Sequence, residues 1–535
     1  MRRNLLMMVA TLLILLPILS ACGRESSADG QQEITLNAQT EPPSLDPALA
    51  TDTTSGWVLE HLFEGLYTKD QKGNVVKGMA SEVEVSGDKK TYTFTLRKDA
   101  KWSDGSPVTA EDFEYAWKRV LSPETGSQFA FYLYYLKGAE AYNKGEGSAG
   151  DVGVEAKDDR TLVVTLEKPV AYFKELLTFW VYFPVPVDQV KKHPEKWAGN
   201  PDTLLSNGAY RLTEWKHDEE LTAVKNPRYH GKNEITMDRI RWKMVDSSET
   251  AYQMFQAKEL DIVTDLPAEL LEKEKGKGNL KTTPYFGTYM FMLNVDKKPF
   301  NNKKIRKAFN LAIDRQSIVK NVSRGGEKPA GAFVPHGYET PGGEDFREEK
   351  TTSYVKQDVA EARKLLKEGM KEEGWKELPK VTLSYNTDEN HKAIAQAVQA
   401  MLKKNLNVDV KLSNREWKVY LDTVSQRDYQ MARMGWIGIF VDPVVILDYY
   451  LGDSPNNQTG WVNQEYDRLM AKAKGEQNEE KRMNLLHRAE DILMEELPFI
   501  PVYYYTQNNL IQPELKGGVV RINRYPDVRW TRWAE

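Results

Sequence analysis

Cys22 is the only cysteine in this 535-residue chain and stands directly behind Leu19-Ser20-Ala21. A thiol in that place can be acylated, and with its one cysteine so used the chain has no thiol left for nucleophilic catalysis. Other chemistry is thinly represented. The seven histidines are scattered, with no two at the three-to-five spacing of a zinc site. There is no G-x-S-x-G elbow and no G-x-x-x-x-G-K-[ST] phosphate loop, and Gly325-Gly326-Glu327-Lys328 reads only as a turn. Among 78 acidic residues a carboxylate pair can always be found, so no such pair is informative. Aromatic residues say more. Thirteen tryptophans and 26 tyrosines exceed what a core requires, because each carries a polar group that needs a partner when buried. They suit a cleft for a partly polar, partly apolar ligand, although core or hydrated surface is the alternative for any one of them. Trp417, Trp436, Trp461 and the Tyr449-Tyr450 pair share a stretch of about 45 residues. The expectation is binding without covalent chemistry, and no metal or cofactor.

The N-terminus says where this happens. Arg2 and Arg3 precede an apolar run from Leu5 to Leu19, and small residues close it. That is the pattern of a secretory signal, and the cysteine behind it resembles a bacterial lipobox, whose thiol is lipidated and becomes the mature N-terminus. A transmembrane anchor with an incidental cysteine is the competing reading. It fails on length, since the run is interrupted by Pro17 and falls short of the roughly 20 residues a span needs. Residues 1–21 are therefore expected to be a lipoprotein signal peptide, and 22–32, small and polar, a flexible spacer. Cys22 is the expected lipid anchor, which holds the chain outside the cytoplasm at the cell membrane. The formal net charge of −5 grows more negative once two arginines are cleaved away. This gives no argument for nucleic acid or for an anionic surface.

The remaining length implies two or three domains of mixed α/β class. Tyr92, Phe94 and Leu96 alternate as a strand. Thr109 is an expected N-cap for a helix with the stripe Phe113, Ala116, Trp117, Val120 and Leu121. Val381–Tyr385, a helix burying Ile394, Ala397, Val398, Met401 and Leu402, and a strand through Val408, Val410 and Leu412 form an expected βαβ unit. A late helix with Leu485, Ala489, Ile492 and Leu493 leads into the strand Ile500–Tyr505. Residues 143–150 and 339–352 read as surface loops, and Asn207-Gly208 as a turn.

Several blocks then run in a recognisable order: Ser44-Leu45-Asp46-Pro47, Leu62-Phe63-Glu64-Gly65-Leu66, and Leu96 through Lys101-Trp102-Ser103-Asp104-Gly105. They continue with Asn207-Gly208-Ala209-Tyr210, Glu214-Trp215, Asn226-Pro227-Arg228-Tyr229, Ile305-Arg306-Lys307-Ala308, Ile313-Asp314-Arg315 and Pro501 to Tyr505. Together they resemble the oligopeptide-binding proteins of ABC importers, solute-binding family 5. The resemblance implies a two-lobed clamshell of the periplasmic-binding-protein type with an extra inserted domain. Residues 33–63, 188–288 and 505–535 would form the first lobe, 64–187 the inserted domain and 289–504 the second ligand-binding lobe. An extended oligopeptide would lie between the lobes, paired through its backbone, and closure by a hinge would present it to the permease subunits of an ABC transporter. The chain would act as a monomer, held to the membrane by the lipid on Cys22. Position by position, Thr51 and Thr53 would meet the peptide backbone, and Gly435-Trp436-Ile437 would form the opposing strand, its glycine permitting close approach. Phe129 and Trp417 would supply aromatic contacts. His391 would sit near the peptide carboxyl end and Arg433 would pair with that carboxylate, with a helix-start role and an ion pair as the respective alternatives.

One position departs from the pattern. Many relatives place an aspartate where this chain has Ile439, and that aspartate pairs with the ligand's α-ammonium. An unpaired buried ammonium there typically costs about 3–5 kcal/mol. Met290 and Met292 look similarly apolar where relatives are often polar. The ligand is thus expected to be N-blocked, cyclic or branched, shifted in register, or served by another acid such as Asp442. The alternatives are a dedicated receptor for one signalling or cell-wall peptide or a metal chelate and, in another class, a cell-surface hydrolase on the same scaffold.

Overall fold

Two strands, Leu280–Leu293 and Phe499–Ile511, connect everything else in the fold. They are 14 and 13 residues long and pair antiparallel along most of their length. In this computed structural model, which describes residues 32–534 apart from 171, 265, 339, 341–342, 350–353, 439–441 and 518–524, they lie in the middle of an 11-stranded sheet. Cys22, the expected signal peptide and Ile439 lie outside the described residues.

On one side, Asn509 to Ile511 pair with Ile262–Thr264, after which come Glu33–Asn37, Arg239–Lys243, Glu220–Lys225 and Tyr210–Lys216. On the other, Gly287 to Leu293 pair antiparallel with Met431–Ile437. Val381–Asn386 and Val410–Arg415 continue that side in parallel. The expected βαβ unit is therefore present, with the helix Glu389–Leu406 between its strands. Its buried face is rotated from expectation: Ile394, Ala395, Val398 and Leu402 are buried, while Ala397 and Met401 are half-buried. Between the two flanks the register of the long pair shifts from Pro284 to Thr288. Such an irregularity bends a strand and raises its twist.

A separate antiparallel sheet of four strands covers Ala80–Val85, Thr91–Leu96, Thr161–Thr165 and Val154–Asp158. Tyr92, Phe94 and Leu96 point into its core as the alternation predicts. The helix Ala110–Leu121 starts at Thr109, whose N–H donates to the Asp112 carboxylate at 2.8 Å, and its whole predicted stripe is buried.

Three expectations change. Asn207-Gly208 is a clasp: the Asn207 amide accepts from Glu64 N–H at 3.1 Å and donates to Glu64 C=O at 2.8 Å. A Cβ at Gly208 would lie 2.7 Å from the Phe63 nitrogen, so backbone proximity selects the glycine. The stretch 339–352 is no simple surface loop, because Phe346 and Arg347 are buried and Arg347 Nη2 meets both Glu490 oxygens at 2.5 and 2.6 Å. The helix Glu479–Glu496 buries Met483, Leu486, Ala489 and Leu493, while Leu485 and Ile492 are half-buried. Residues 144–148 are exposed, as their polarity suggests.

Candidate ligand-binding site

A cavity of ≈ 330 Å³ lies against the bent centre of the sheet. Thr51, Thr53, Phe129, His391, Trp417, Arg433, Gly435, Trp436 and Ile437 all line it. They come from five separated parts of the chain, which the helix starts at Thr53, Ala130, Glu389 and Trp417 and the strand Met431–Ile437 bring together.

One wall is aromatic. Phe129 is buried edge-on to Trp436, with ring centres 6.4 Å apart, and Trp436 lies 4.6 Å from Tyr449. Each tryptophan has a fixed orientation: Trp436 Nε1 donates to Val445 C=O at 3.0 Å, and Trp180 Nε1 to Ala50 C=O at 3.0 Å. The Trp180 ring fills the space where a side chain on Gly56 would be, 2.3 Å from its Cβ. This explains a glycine inside the helix Thr53–Leu62, where it otherwise weakens the helix.

The opposite side is charged. Arg433 is buried, its Nη2 donating to Tyr505 Oη at 2.9 Å and its Nη1 to Asn386 Oδ1 at 3.3 Å. The guanidinium lies over the Tyr289 ring at 4.9 Å. Its Nε has no hydrogen-bond partner, and no carboxylate pairs with it among the described residues. Beside it, Asp388 caps the helix Glu389–Leu406 by accepting the His391 N–H at 2.8 Å. Burial, and after it the Arg433 charge, pushes the His391 imidazole well down, so His391 is a neutral group. Burial pushes the Asp388 carboxyl up.

Asp52, between the two threonines singled out by sequence, was missed. It caps the helix Thr53–Leu62, accepting from Thr54 N–H, Ser55 N–H and Ser55 Oγ at 3.0, 3.1 and 2.6 Å. Burial pushes its carboxyl up, opposed by Ser55, Thr54 and the Trp417 side chain. An aspartate immediately before a helix pattern was the available signal. Glu327 was missed as well. The Gly325-to-Lys328 segment is a turn, with Gly326 at φ +89°, but its carboxylate faces the cavity.

Several expectations need correction. Gly435 makes room for a side chain of the protein itself: a Cβ there would sit 2.2 Å from Tyr505 Oη. Met290 and Met292 do not line the cavity but are fully buried, their sulfurs accepting from Tyr450 Oη at 3.3 Å and Tyr449 Oη at 3.1 Å. Asp442 is unavailable to a ligand cation, since both its oxygens bind Arg482, at 2.7 and 2.8 Å. Among the described residues no cluster of His, Cys, Asp and Glu could hold a metal, and no helix is long and apolar enough to cross a membrane.

Comparison with known proteins places this geometry. The model of the bacterial extracellular solute-binding proteins, family 5, middle region, matches residues 74–458. The dipeptide-binding protein DppE of Bacillus subtilis (strain 168) is 43% identical over 513 residues, 95% of this chain and 94% of that one. The substrate-binding domain of an oligopeptide ABC transporter from Bacillus anthracis str. Ames superposes with a TM-score of 0.90 at 33% identity, over 94% of this chain and 99% of that one. The murein tripeptide-binding protein MppA of Escherichia coli gives 0.87 at 35% identity, over 94% and 99%. The unliganded open form of MppA gives only 0.63 at 35% identity, over 94% and 97%, so the parts of this chain are not arranged as in that open form. The fold is thus the expected two-lobed clamshell with its inserted domain. This chain belongs to family 5 of the bacterial extracellular solute-binding proteins, which bind their solutes without transforming them.

Proposed function

We propose that this protein captures an oligopeptide or peptide-like ligand between two lobes and delivers it to the permease of an ABC transporter while anchored to the cell membrane by lipid on Cys22. The lobes are residues 33–63, 188–288 and 505–535 on one side and 289–504 on the other, with 64–187 inserted in the first. The observation that carries this reading is Arg433. It is a buried guanidinium whose hydrogen bonds, among the described residues, go to the neutral groups Asn386 and Tyr505, with none at Nε. A carboxylate entering the cavity would complete it with a charge-assisted bond. Thr51, Thr53 and the strand ending in Gly435-Trp436-Ile437 then offer the peptide backbone its pairing edges, and Phe129 and Trp417 its aromatic walls.

The test is mass spectrometry of what co-purifies with the full chain in detergent, followed by titration of matched peptides with free and amidated carboxyl ends. Short peptides in the eluate, and weaker binding after amidation, support the reading. Equal binding of both forms removes Arg433 from it. A dedicated receptor for one ligand is the second reading, favoured by Ile439 together with the commitment of Asp442 to Arg482. A single blocked or branched species in the eluate selects it.

A further inference from the structure

The cavity holds a second charge that has no counter-ion among the described residues. Glu327 is half-buried on the turn that follows Ser323, and its Oε2 accepts from Ser323 Oγ at 3.0 Å and from Gly325 N–H at 2.8 Å. Both donors are neutral, and among the described residues no lysine or arginine forms an ion pair with it. The turn is fixed from the central strand: Thr506 Oγ1 and Asn508 Nδ2 donate to Gly325 C=O at 2.7 and 3.0 Å. Gly325 is small for a reason, since a Cβ there would lie 2.6 Å from Glu327 Oε1 and 2.7 Å from Asn508 Nδ2. The carboxylate is therefore held in place by groups that leave its charge uncompensated. Burying a charge in that way is unfavourable until a partner arrives.

The other acids of the cavity differ. Asp52 and Asp388 cap helices, Glu60 is engaged already, and Asp246 is exposed at the rim. Glu327 and Arg433 also stand in one electrostatic neighbourhood. All three of Glu327, Tyr503 and Arg433 line the cavity. Burial pushes the Tyr503 hydroxyl up, and after its tyrosine neighbours Glu327 raises it while Arg433 lowers it.

Resting on the reading of this cavity as a peptide site, we infer that Glu327 is a specificity-determining residue that binds an ammonium group of the ligand. The ligand class is a peptide that carries a carboxylate for Arg433 and a cation for Glu327. The ammonium is either the α-amino group, read here in place of the position occupied by Ile439, or a lysine-like side chain.

Isothermal titration of the full chain in detergent, freed of co-purified ligand, tests this. The probes are Lys-Lys-Lys, N-acetyl-Lys-Lys-Lys, norleucine tripeptide and N-acetyl-norleucine tripeptide. Norleucine keeps the alkyl chain and removes the side-chain charge, and acetylation removes the α-charge. The wild type is expected to prefer one member of a charged/uncharged pair by about tenfold or more. Glu327→Gln is expected to erase that ratio, with norleucine affinity retained. Loss of the lysine-over-norleucine ratio identifies a side-chain ammonium, and loss of the free-over-acetylated ratio identifies the α-ammonium. Ratios that survive Glu327→Gln overturn the inference alone, leaving the peptide reading intact. An equal loss for all four peptides, with an unchanged melting temperature, overturns it too and makes Glu327 a holder of the turn. Failure of the wild type to bind any of the four overturns the peptide reading and the inference with it.

Discussion

Arg482 and Arg433 are both arginines of the sequence 289–504, both withdrawn from water, and they are treated in opposite ways. Arg482 meets Asp442 through both terminal nitrogens, at 2.7 and 2.8 Å. Nearby, Arg347 meets both oxygens of Glu490 through one terminal nitrogen, Nη2, at 2.5 and 2.6 Å. Arg433 has an amide, a phenol and a tyrosine ring. Absence of an acid alone does not mark a site, because Arg315 also lacks one and is still satisfied by carbonyls of Pro501, Asn310 and Ile313. What distinguishes Arg433 is the donor left over together with the cavity in front of it. A charge compensated within the chain holds the fold, and a charge left uncompensated beside empty space waits for a ligand.

The comparison breaks first at the scaffold pairs. Glu490 accepts from Arg347 and also from the N–H groups of Phe333 and Val334, at 3.1 and 2.8 Å. Glu490→Ala leaves a buried cation and two backbone donors unpaired. The expected loss is about 3–5 kcal/mol of unfolding free energy, read by denaturant titration. A loss below about 1 kcal/mol would show that this pair is no scaffold. Arg433→Gln should act on the other quantity. Its melting temperature is expected to stay within a few degrees of wild type, because among the described residues no carboxylate is hydrogen-bonded to it and the Arg433 charge only adds to other groups that hold the Asp388 carboxyl down. Affinity for peptides with a free carboxyl end should fall by about 2–5 kcal/mol, while amidated peptides change little. Equal losses for both peptide forms would place Arg433 with the scaffold.

A smaller effect probes the contact between them. Gly435→Ala forces its Cβ against Tyr505 Oη, the acceptor that orients Arg433. Displacing that side chain is expected to cost roughly 1–3 kcal/mol. Tyr505→Phe in the same chain removes the nearest atom and should restore part of the stability without restoring affinity. If Gly435→Ala is neutral alone, the glycine serves only the ligand, as the sequence had suggested.

Much of this was legible in the residues, for physical reasons that vary by site. Alternation marked Tyr92, Phe94 and Leu96, and spacing marked the stripe from Phe113 to Leu121, because one buried face leaves its period in the sequence. Along Glu479–Glu496 the reading held for Ala489 and Leu493 but not for Leu485 and Ile492, which are half-buried, because the width of a buried face depends on what packs against it. The nine site residues that the structure describes converge on one cavity, yet the resemblance that named them could not tell which neighbours complete them. Gly435 is a case in point: the resemblance placed it on a strand, while Tyr505, far along the chain, gives the reason for the glycine. Met290 and Met292 misled because their stretch of strand is buried on both faces: they alternate with Tyr289, Phe291 and Leu293, which belong to a second core cluster. Glu327 was passed over because a turn of glycines advertises backbone shape, and the direction of one carboxylate is a tertiary fact.

The smallest expected effect concerns pH, and its sign follows from the uncompensated side of the comparison. Burial raises the Glu327 carboxyl above its ordinary value of 4.5. A carboxyl whose folded value exceeds its unfolded one holds its proton more tightly when folded. Its contribution to stability is therefore complete below the unfolded value and is lost as pH rises through the folded value. Asp52 and Asp388 are raised from 3.8 by burial and act in the same direction. Exposed acids held down by lysines, such as Glu368 and Glu372 beside Lys304, act in the opposite one. The total curve therefore mixes both, and the difference between wild type and Glu327→Gln isolates one group. In ligand-free protein that difference should move against the wild type as pH rises above about 4.5. Saturating Lys-Lys-Lys should reverse the trend, because a bound ammonium favours the ionised carboxylate and drives its proton off. Melting curves of the two proteins across this range, with and without the peptide, measure it. A difference that is flat without peptide would mean that Glu327 is compensated within the chain after all, which would move it to the side of Asp442 and Glu490.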